Sequence, residues 1–252
     1  MPSPGPAIAF EAVHVRFGGV HAVEAVSAEI AGGGFVALVG QSGSGKTTLL
    51  KTVNRLVEPS EGRVTIDGAA VSEGDPHLLR RRIGYVFQNV GLFPHMDVAA
   101  NIGIGARIAG GRLGAERLAE LLALVELPQD LAQRMPDQLS GGQRQRVGVA
   151  RALACGPKLM LMDEPFGALD PVTRDALGRT LRRLHDSLGL TTIMVTHDMA
   201  EALLLADRVI VMVDGRIVAD AAPAALLAGA GGAIADALVA VPREQARRLA
   251  AL

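Results

Sequence analysis

Apolar and polar positions alternate from residue 8 to residue 30, interrupted by the pair Gly18-Gly19. A period of two with a glycine break predicts antiparallel strands joined by a turn. Phe35-Val36-Ala37-Leu38-Val39 is apolar throughout and predicts a short buried strand, followed by a helix over about 46–56. A turn at 59–62 leads into a strand at 63–66 that ends at Asp67-Gly68, and 83–88 reads as another strand. Between 98 and 156 the period changes. Leu118, Leu121, Leu122 and Val125 fall on one face of a helix at 115–125, with Gly110-Gly111 and Pro128 as breaks. The stretch 91–157 therefore reads as a mostly helical insertion. Strands return at 158–162, 191–195 and 209–213, with a helix at about 172–188 between the first two. Strand–helix–strand order predicts a parallel sheet covered by helices, an α/β fold. The tail from Ala221 predicts short helices packed on the core. No internal repeat or long linker interrupts the chain.

Composition narrows this picture. A length of 252 residues suits one large domain. Apolar residues make up 49% but aromatics only 3%, so the core must be built from Ala, Val, Leu and Ile. The net charge of -1 without a basic block argues against sequence-independent nucleic-acid binding. The single cysteine, Cys155, has no internal disulfide partner and suits a reducing compartment, where it is expected as a small apolar filler. The start, 1–6, is Pro-rich without a charged region, so no leader is expected. The uncharged stretch 221–235 is Ala/Gly-rich and broken by Pro223, Gly229, Gly231 and Gly232, which does not suit a membrane span. A soluble, cytoplasmic chain is expected.

The chemistry begins directly after the strand at 35–39. Residues 40–48 read Gly40-Gln41-Ser42-Gly43-Ser44-Gly45-Lys46-Thr47-Thr48. Strand, glycine loop and helix in that order form a phosphate-binding loop. The glycines let successive N–H groups turn toward phosphate oxygens, and the helix start adds its positive dipole end. Lys46 supplies charge for β- and γ-phosphates, and the Thr47 hydroxyl is placed to hold Mg²⁺. A second candidate lies at the end of the strand 158–162, where Asp163 and Glu164 follow an apolar run. Asp163 is placed for Mg²⁺, and Glu164 for orienting or deprotonating an attacking water. An acidic turn before Pro165 is the plain alternative. Finally, Leu139-Ser140-Gly141-Gly142-Gln143 precedes a predicted helix at 144–155. Ser140 can cap it, giving a second anion-binding helix end; a glycine hinge with an ordinary cap reads these five residues equally well.

Taken together, the motifs at 40–48, Gln88, 139–143, 159–165, Ala168-Leu169-Asp170 and His197 stand in an order that resembles the ATP-binding subunit of ABC transporters, over nearly the whole chain. The resemblance implies a P-loop NTPase (RecA-like) core with a mostly parallel sheet, an N-terminal antiparallel β-subdomain and an inserted α-helical subdomain. It places the domain at 7–252, with the core at about 7–90 and 158–220, the helical subdomain at about 91–157 and a short tail at 221–252. It implies that ATP and Mg²⁺ are bound and ATP hydrolysed. By position, Phe17 matches the aromatic that stacks on adenine, although strand packing would also explain it. Gln88 matches the residue that senses the γ-phosphate and Mg²⁺ and links to the membrane partner. Ser140, Gly141, Gly142 and Gln143 match the signature that contacts ATP on the opposite subunit. Asp170 matches a residue that communicates across the dimer, and His197 the histidine that contacts the γ-phosphate. The implied partners are a second ATP-binding subunit, forming a homodimer, membrane permease subunits and a periplasmic or lipid-anchored solute-binding protein, with no nucleic acid. The chain is then expected at the inner face of the cell membrane, held there through the permease.

Residues 53–59 and 83–96 are similar to subunits of importers for quaternary amines and other osmoprotectants, such as glycine betaine, choline and carnitine. Phe93 to Met96 is expected to face the permease and so to report the partner rather than the solute. Importers for polar amino acids, polyamines or sulfonates share most of these features. Exporters and lipid-trafficking subunits form a further alternative. Soluble relatives in DNA repair or translation carry coiled-coil insertions or tandem cassettes, and this chain has neither. The 37 residues after the Asp214-Gly215 turn are too few for the paired C-terminal regulatory domains of some osmoprotectant subunits, so regulation is expected elsewhere.

Overall fold

The structure is a computed structural model that describes residues 3–250 apart from Ala168. Ala168 and the last residues of the expected tail, 251–252, lie outside the described residues. Strands β1 (Ile8–Phe17) and β2 (Val20–Ile30) form the hairpin expected around Gly18-Gly19. With β4 (Glu61–Ile66) and β5 (Ala69–Ala70) they make a four-stranded antiparallel sheet, order β2-β1-β4-β5. Its register shifts near Val13 and Val15, where Ala12 takes a left-handed φ of 46°. Such bulges bend and twist the strand.

The second sheet contains β3 (Phe35–Val39), β6 (Ile83–Val86), β7 (Leu159–Asp163), β8 (Thr191–Thr196), β9 (Arg208–Val213) and β10 (Arg216–Ala221). Its order is β10-β9-β3-β8-β7-β6; every pair is parallel except β9 with β10. Successive residues alternate between two cores. Phe35, Ala37, Met160, Met162, Met194, Val209 and Val211 face one side, and Val36, Leu38, Leu161, Ile193, Val195, Ile210 and Met212 the other. Burial on both faces explains the uninterrupted apolar runs of β3, β7 and β9.

Helix α1 (Lys46–Val53) packs with the β-subdomain on the second side through Leu49, Leu50 and Val53. It is shorter than expected: Arg55 takes a left-handed φ of 56°, which ends the helix before Leu56. Helix α2 (Pro76–Arg81) leads into β6. The insertion holds α3 (Val98–Ile108), α4 (Ala115–Leu124), two short 3₁₀ turns and α5 (Gly141–Leu153). Leu121, Leu122 and Val125 are buried and Leu118 packs against the same core. Helices α6 (Pro171–Leu188), α7 (Met199–Leu205), α8 (Pro223–Leu227) and α9 (Gly232–Ala250) complete the chain. The tail is not made of short helices alone, since α9 runs for 19 residues and contains Pro242. Its first half is anchored by Ala235 and Val239, the buried residues among those described in this helix. Cys155 is not a buried filler but exposed, where the chain turns at Gly156 (φ 65°) on leaving α5. Among the described residues no helix is long and apolar enough to cross a membrane.

Candidate functional site

The registers Val39↔Thr196 and Asp163↔Val195 align the carboxyl ends of β3, β8 and β7. Gly40, Glu164 and His197, the first residues past those strands, therefore emerge along one edge of the sheet. In open α/β sheets this edge binds ligands.

The loop between β3 and α1 is shaped by close backbone approach. A Cβ on Gly40 would stand 2.2 Å from the Met212 carbonyl, and one on Gly45 2.2 Å from the Ala22 carbonyl. Gly43 and Gly45 also take left-handed φ of 83° and 94°. No side chain caps α1, so its first amides stay available to an anion. Gln41 and Ser42 are exposed, Ser44 is buried and Thr48 half-buried. The Lys46 ammonium donates to the carbonyls of Gly40 (2.8 Å) and Gln41 (2.7 Å) and to Ser44 Oγ (3.2 Å). Burial lowers its pKa, while Glu164 and Asp163 act in the opposite direction.

Opposite the loop, Thr47 Oγ1 donates to Asp163 Oδ1 at 2.6 Å, and the Tyr85 hydroxyl approaches Asp163 Oδ2 at 3.3 Å. Burial, then the Asp163 charge, push the Tyr85 phenol well above its usual pKa, so it stays protonated and a donor. Two oxygen donors side by side suit a Mg²⁺ ion that keeps most of its shell for water and phosphate. Glu164 leaves β7 with a left-handed φ of 45°, a costly conformation for a residue with a side chain. Its amide is held by the Val195 carbonyl at 3.0 Å. Gln88 Nε2 donates to Glu164 Oε2 at 2.9 Å, and His197 Nδ1 lies 3.4 Å from the same oxygen. Gln88 lies beyond β6 rather than within it, because pairing with β7 stops at Val86↔Met162. Lys46, Thr47, Asp163, Glu164, Gln88 and His197 thus form one connected constellation.

The remaining expected residues sit apart from it. Phe17 projects from the β1–β2 turn with 54% exposure. Ser140 caps α5 reciprocally with Gln143, accepting from the Gln143 amide at 3.2 Å and giving its own amide to Gln143 Oε1 at 2.8 Å. Gly141, Gly142 and Gln143 form the first turn of α5 rather than preceding it. A Cβ on Gly142 would stand 2.4 Å from Thr173 Cγ2 of α6. Asp170 caps α6 through the amides of Val172 and Thr173. Hydrogen bonds from Thr173 and Val172 hold its carboxyl below the usual pKa. Among the described residues no hydrogen bond joins the Ser140–Gln143 turn to the phosphate loop. Tyr85 was not legible as a site residue: only the β6–β7 pairing brings its hydroxyl to Asp163.

The family profile described as ABC transporter matches residues 23–167. The chain belongs to the ABC transporter family. It is 49% identical over 212 residues to the glycine betaine/carnitine/choline transport ATP-binding protein OpuCA of Bacillus subtilis, covering 83% of this chain and 56% of the relative. It is 51% identical to the sulfate/thiosulfate import ATP-binding protein CysA of Caulobacter vibrioides, over 83% of this chain and 63% of that protein. The glycine betaine uptake system ATP-binding protein YehX of Escherichia coli is 47% identical over 86% of this chain and 72% of its own length. The chain spans about half the length of the osmoprotectant relatives OpuCA and OpuBA. Among solved structures, the ABC cassette MJ0796, in a dimeric post-hydrolysis state bound to ADP and Pi, superposes with a TM-score of 0.76 at 34% identity. That match covers 86% of this chain and 98% of the solved one. These ABC neighbours share the P-loop NTPase architecture described above.

Proposed function

We propose that this ABC chain binds ATP with Mg²⁺, hydrolyses it as a two-fold dimer, and powers a membrane importer for osmoprotectants such as glycine betaine or choline. The observation that carries the hydrolytic reading is the convergence of Lys46, the Thr47–Asp163 pair and the Gln88–Glu164–His197 cluster on one sheet edge. Phosphates lie in the 40–48 loop, where Lys46 exchanges its carbonyl contacts for phosphate oxygens. Thr47 and Asp163 would hold Mg²⁺, with Gln88 contributing, and the ion would supply positive charge to the β- and γ-phosphates. Glu164 accepts a proton from the attacking water, Gln88 orients that water, and His197 contacts the γ-phosphate. Phe17 stacks on adenine. Ser140, Gly141, Gly142 and Gln143 complete the site of the opposite subunit, and Asp170 links the two. The core occupies about 7–90 and 158–220 and the helical subdomain about 91–157. Permease subunits, with a solute-binding protein outside, hold the chain at the inner membrane face.

The osmoprotectant reading draws on the names of OpuCA, OpuBA and YehX. The comparable identity to CysA supports a second reading, an importer of another solute. Uptake of labelled glycine betaine and choline under high osmolality separates them, in cells without a backup importer whose only copy is wild type or Glu164→Gln. Loss in the variant is expected. Unchanged uptake, with Mg-ATP hydrolysis by the purified wild type intact, rejects the solute class alone. Lys46→Ala is expected to abolish nucleotide affinity by calorimetry, and retained affinity rejects the loop assignment.

A further inference from the structure

Two loops, one carrying His197 of the site and the other Asp170 at the cap of α6, are joined by side chains that no motif above includes. Arg174, on the first turns of α6, donates from Nη2 to the carbonyl of Leu169, the residue before Asp170, at 3.3 Å. Its Nη1 lies 3.5 Å from Asp198 Oδ2, and its Nε 3.5 Å from Glu201 Oε1 on α7. Glu201 is largely buried, with its side chain 13% exposed. Its other oxygen accepts the Thr196 hydroxyl at 2.5 Å, and Thr196 Oγ1 in turn accepts the Asp198 amide at 3.0 Å. Thr196 and Asp198 are the two neighbours of His197. Both are thereby tied to Glu201, and Glu201 and Asp198 to Arg174.

We infer that Arg174 and Glu201 are positioning residues, bridging the strand end that presents His197 to the turn that presents Asp170. The inference deepens the ATPase reading and rests on it for its functional consequence. Neither side chain reaches the reacting atoms; each acts through the loop it holds. The arrangement favours a bridge over a mere surface ion pair for two reasons. Surface pairs contribute little because water screens them, but the Glu201 side chain is largely shielded from water, and burial raises its pKa, with the Thr196 hydrogen bond and the Arg174 charge opposing that rise. The Arg174 Nε is itself buried and, among the described residues, has no hydrogen bond, only approaching Glu201. A buried donor short of its acceptor is costly. A small shift of α7 toward α6 would complete that bond, so movement of the His197 loop on meeting a γ-phosphate pulls on the Asp170 turn. His197 touches one nucleotide, whereas Asp170 faces outward at the cap of α6, so the bridge carries the nucleotide state toward the subunit boundary.

The test uses full-length Arg174→Met, Arg174→Lys, Glu201→Gln and the Arg174→Met/Glu201→Gln pair, with two readouts. In Mg-ATP turnover, Arg174→Met and Glu201→Gln each lower kcat about tenfold while KM stays within about twofold. The double variant is no slower than the worse single, and Arg174→Lys recovers part of the loss. Independently of turnover, amide exchange speeds up at 169–173 in Glu201→Gln and at 196–200 in Arg174→Met. Losses that add in the double variant, or faster exchange confined to the loop carrying the mutation, overturn the bridge. If the wild type shows no Mg-ATP turnover, the ATPase reading fails, while the exchange experiment still decides whether the loops are coupled.

Discussion

At the scale of single residues, the site is governed by how a few oxygens are held. Asp163 is gripped on both sides, by Thr47 at 2.6 Å and by Tyr85 at 3.3 Å. The phenol stays protonated, since burial and the neighbouring carboxylate push its pKa up. Tyr85→Phe removes the weaker contact without opening space. The expected outcome is a severalfold rise in the Mg²⁺ concentration for half-maximal turnover, with thermal stability changed by no more than about 1 kcal/mol; a metal titration of turnover checks it. That Lys46, Glu164 and His197 fall just past strands was legible in the sequence, because local order specifies position there. Tyr85 and Arg174 were not legible. Their partners are 78 and 24–27 residues away, and what joins them is strand pairing or helix placement, neither of which a motif encodes. Cys155 was misread for a related reason: its apolar character suits a core, but the helix ends before it and leaves it on the surface.

At the scale of elements, two contacts set how the helices meet one another and the sheet. Gly142 lets the first turn of α5 lie against α6, where an added Cβ would stand 2.4 Å from Thr173 Cγ2. Gly142→Ala is expected to cost about 1–3 kcal/mol by overpacking and to lower turnover. Thr173→Ser removes the methyl while keeping the hydroxyl, so the double variant should recover stability; melting curves of the four proteins decide it. Asp207, before β9, accepts the buried Phe35 amide at 3.0 Å with one oxygen and Arg182 at 2.7 Å with the other, stapling β9 and α6 to the start of β3. Asp207→Ala strands the Phe35 amide and should cost about 1–3 kcal/mol in urea unfolding, with Asp207→Asn less damaging. The β3, β7 and β9 strands were legible because double-sided burial writes continuous apolar runs. Helices α2 and α7 and strand β10 were not. They are short, and β10 alternates half-buried with exposed residues at the sheet edge, so neither period stands out.

At the scale of the whole molecule, the phosphate loop and the Ser140–Gln143 turn share no hydrogen bond among the described residues, although the proposed chemistry sets both at one nucleotide. Solved ABC neighbours are dimeric, and a two-fold pair that sets each phosphate loop against the partner's Ser140–Gln143 turn resolves the difficulty, since such an interface repeats every contact twice. In Glu164→Gln the nucleotide remains, so the ATP-bound pair should persist and elute at twice the monomer mass with Mg-ATP; a monomeric elution rejects the pairing. Complementation is the sharper measurement. Lys46→Ala lacks a working loop but keeps its signature, and Ser140→Arg keeps the loop but blocks the signature, so neither alone forms a complete site. If sites are built across chains, the mixed dimer contains one site with both parts intact and one with both lost. Random pairing of equal amounts makes about half the dimers mixed, each with one of two sites working, so turnover should return to about a quarter of wild type. If each site instead lies within one chain, mixing two dead proteins restores nothing, and mixed dimers that form without turnover would establish that outcome.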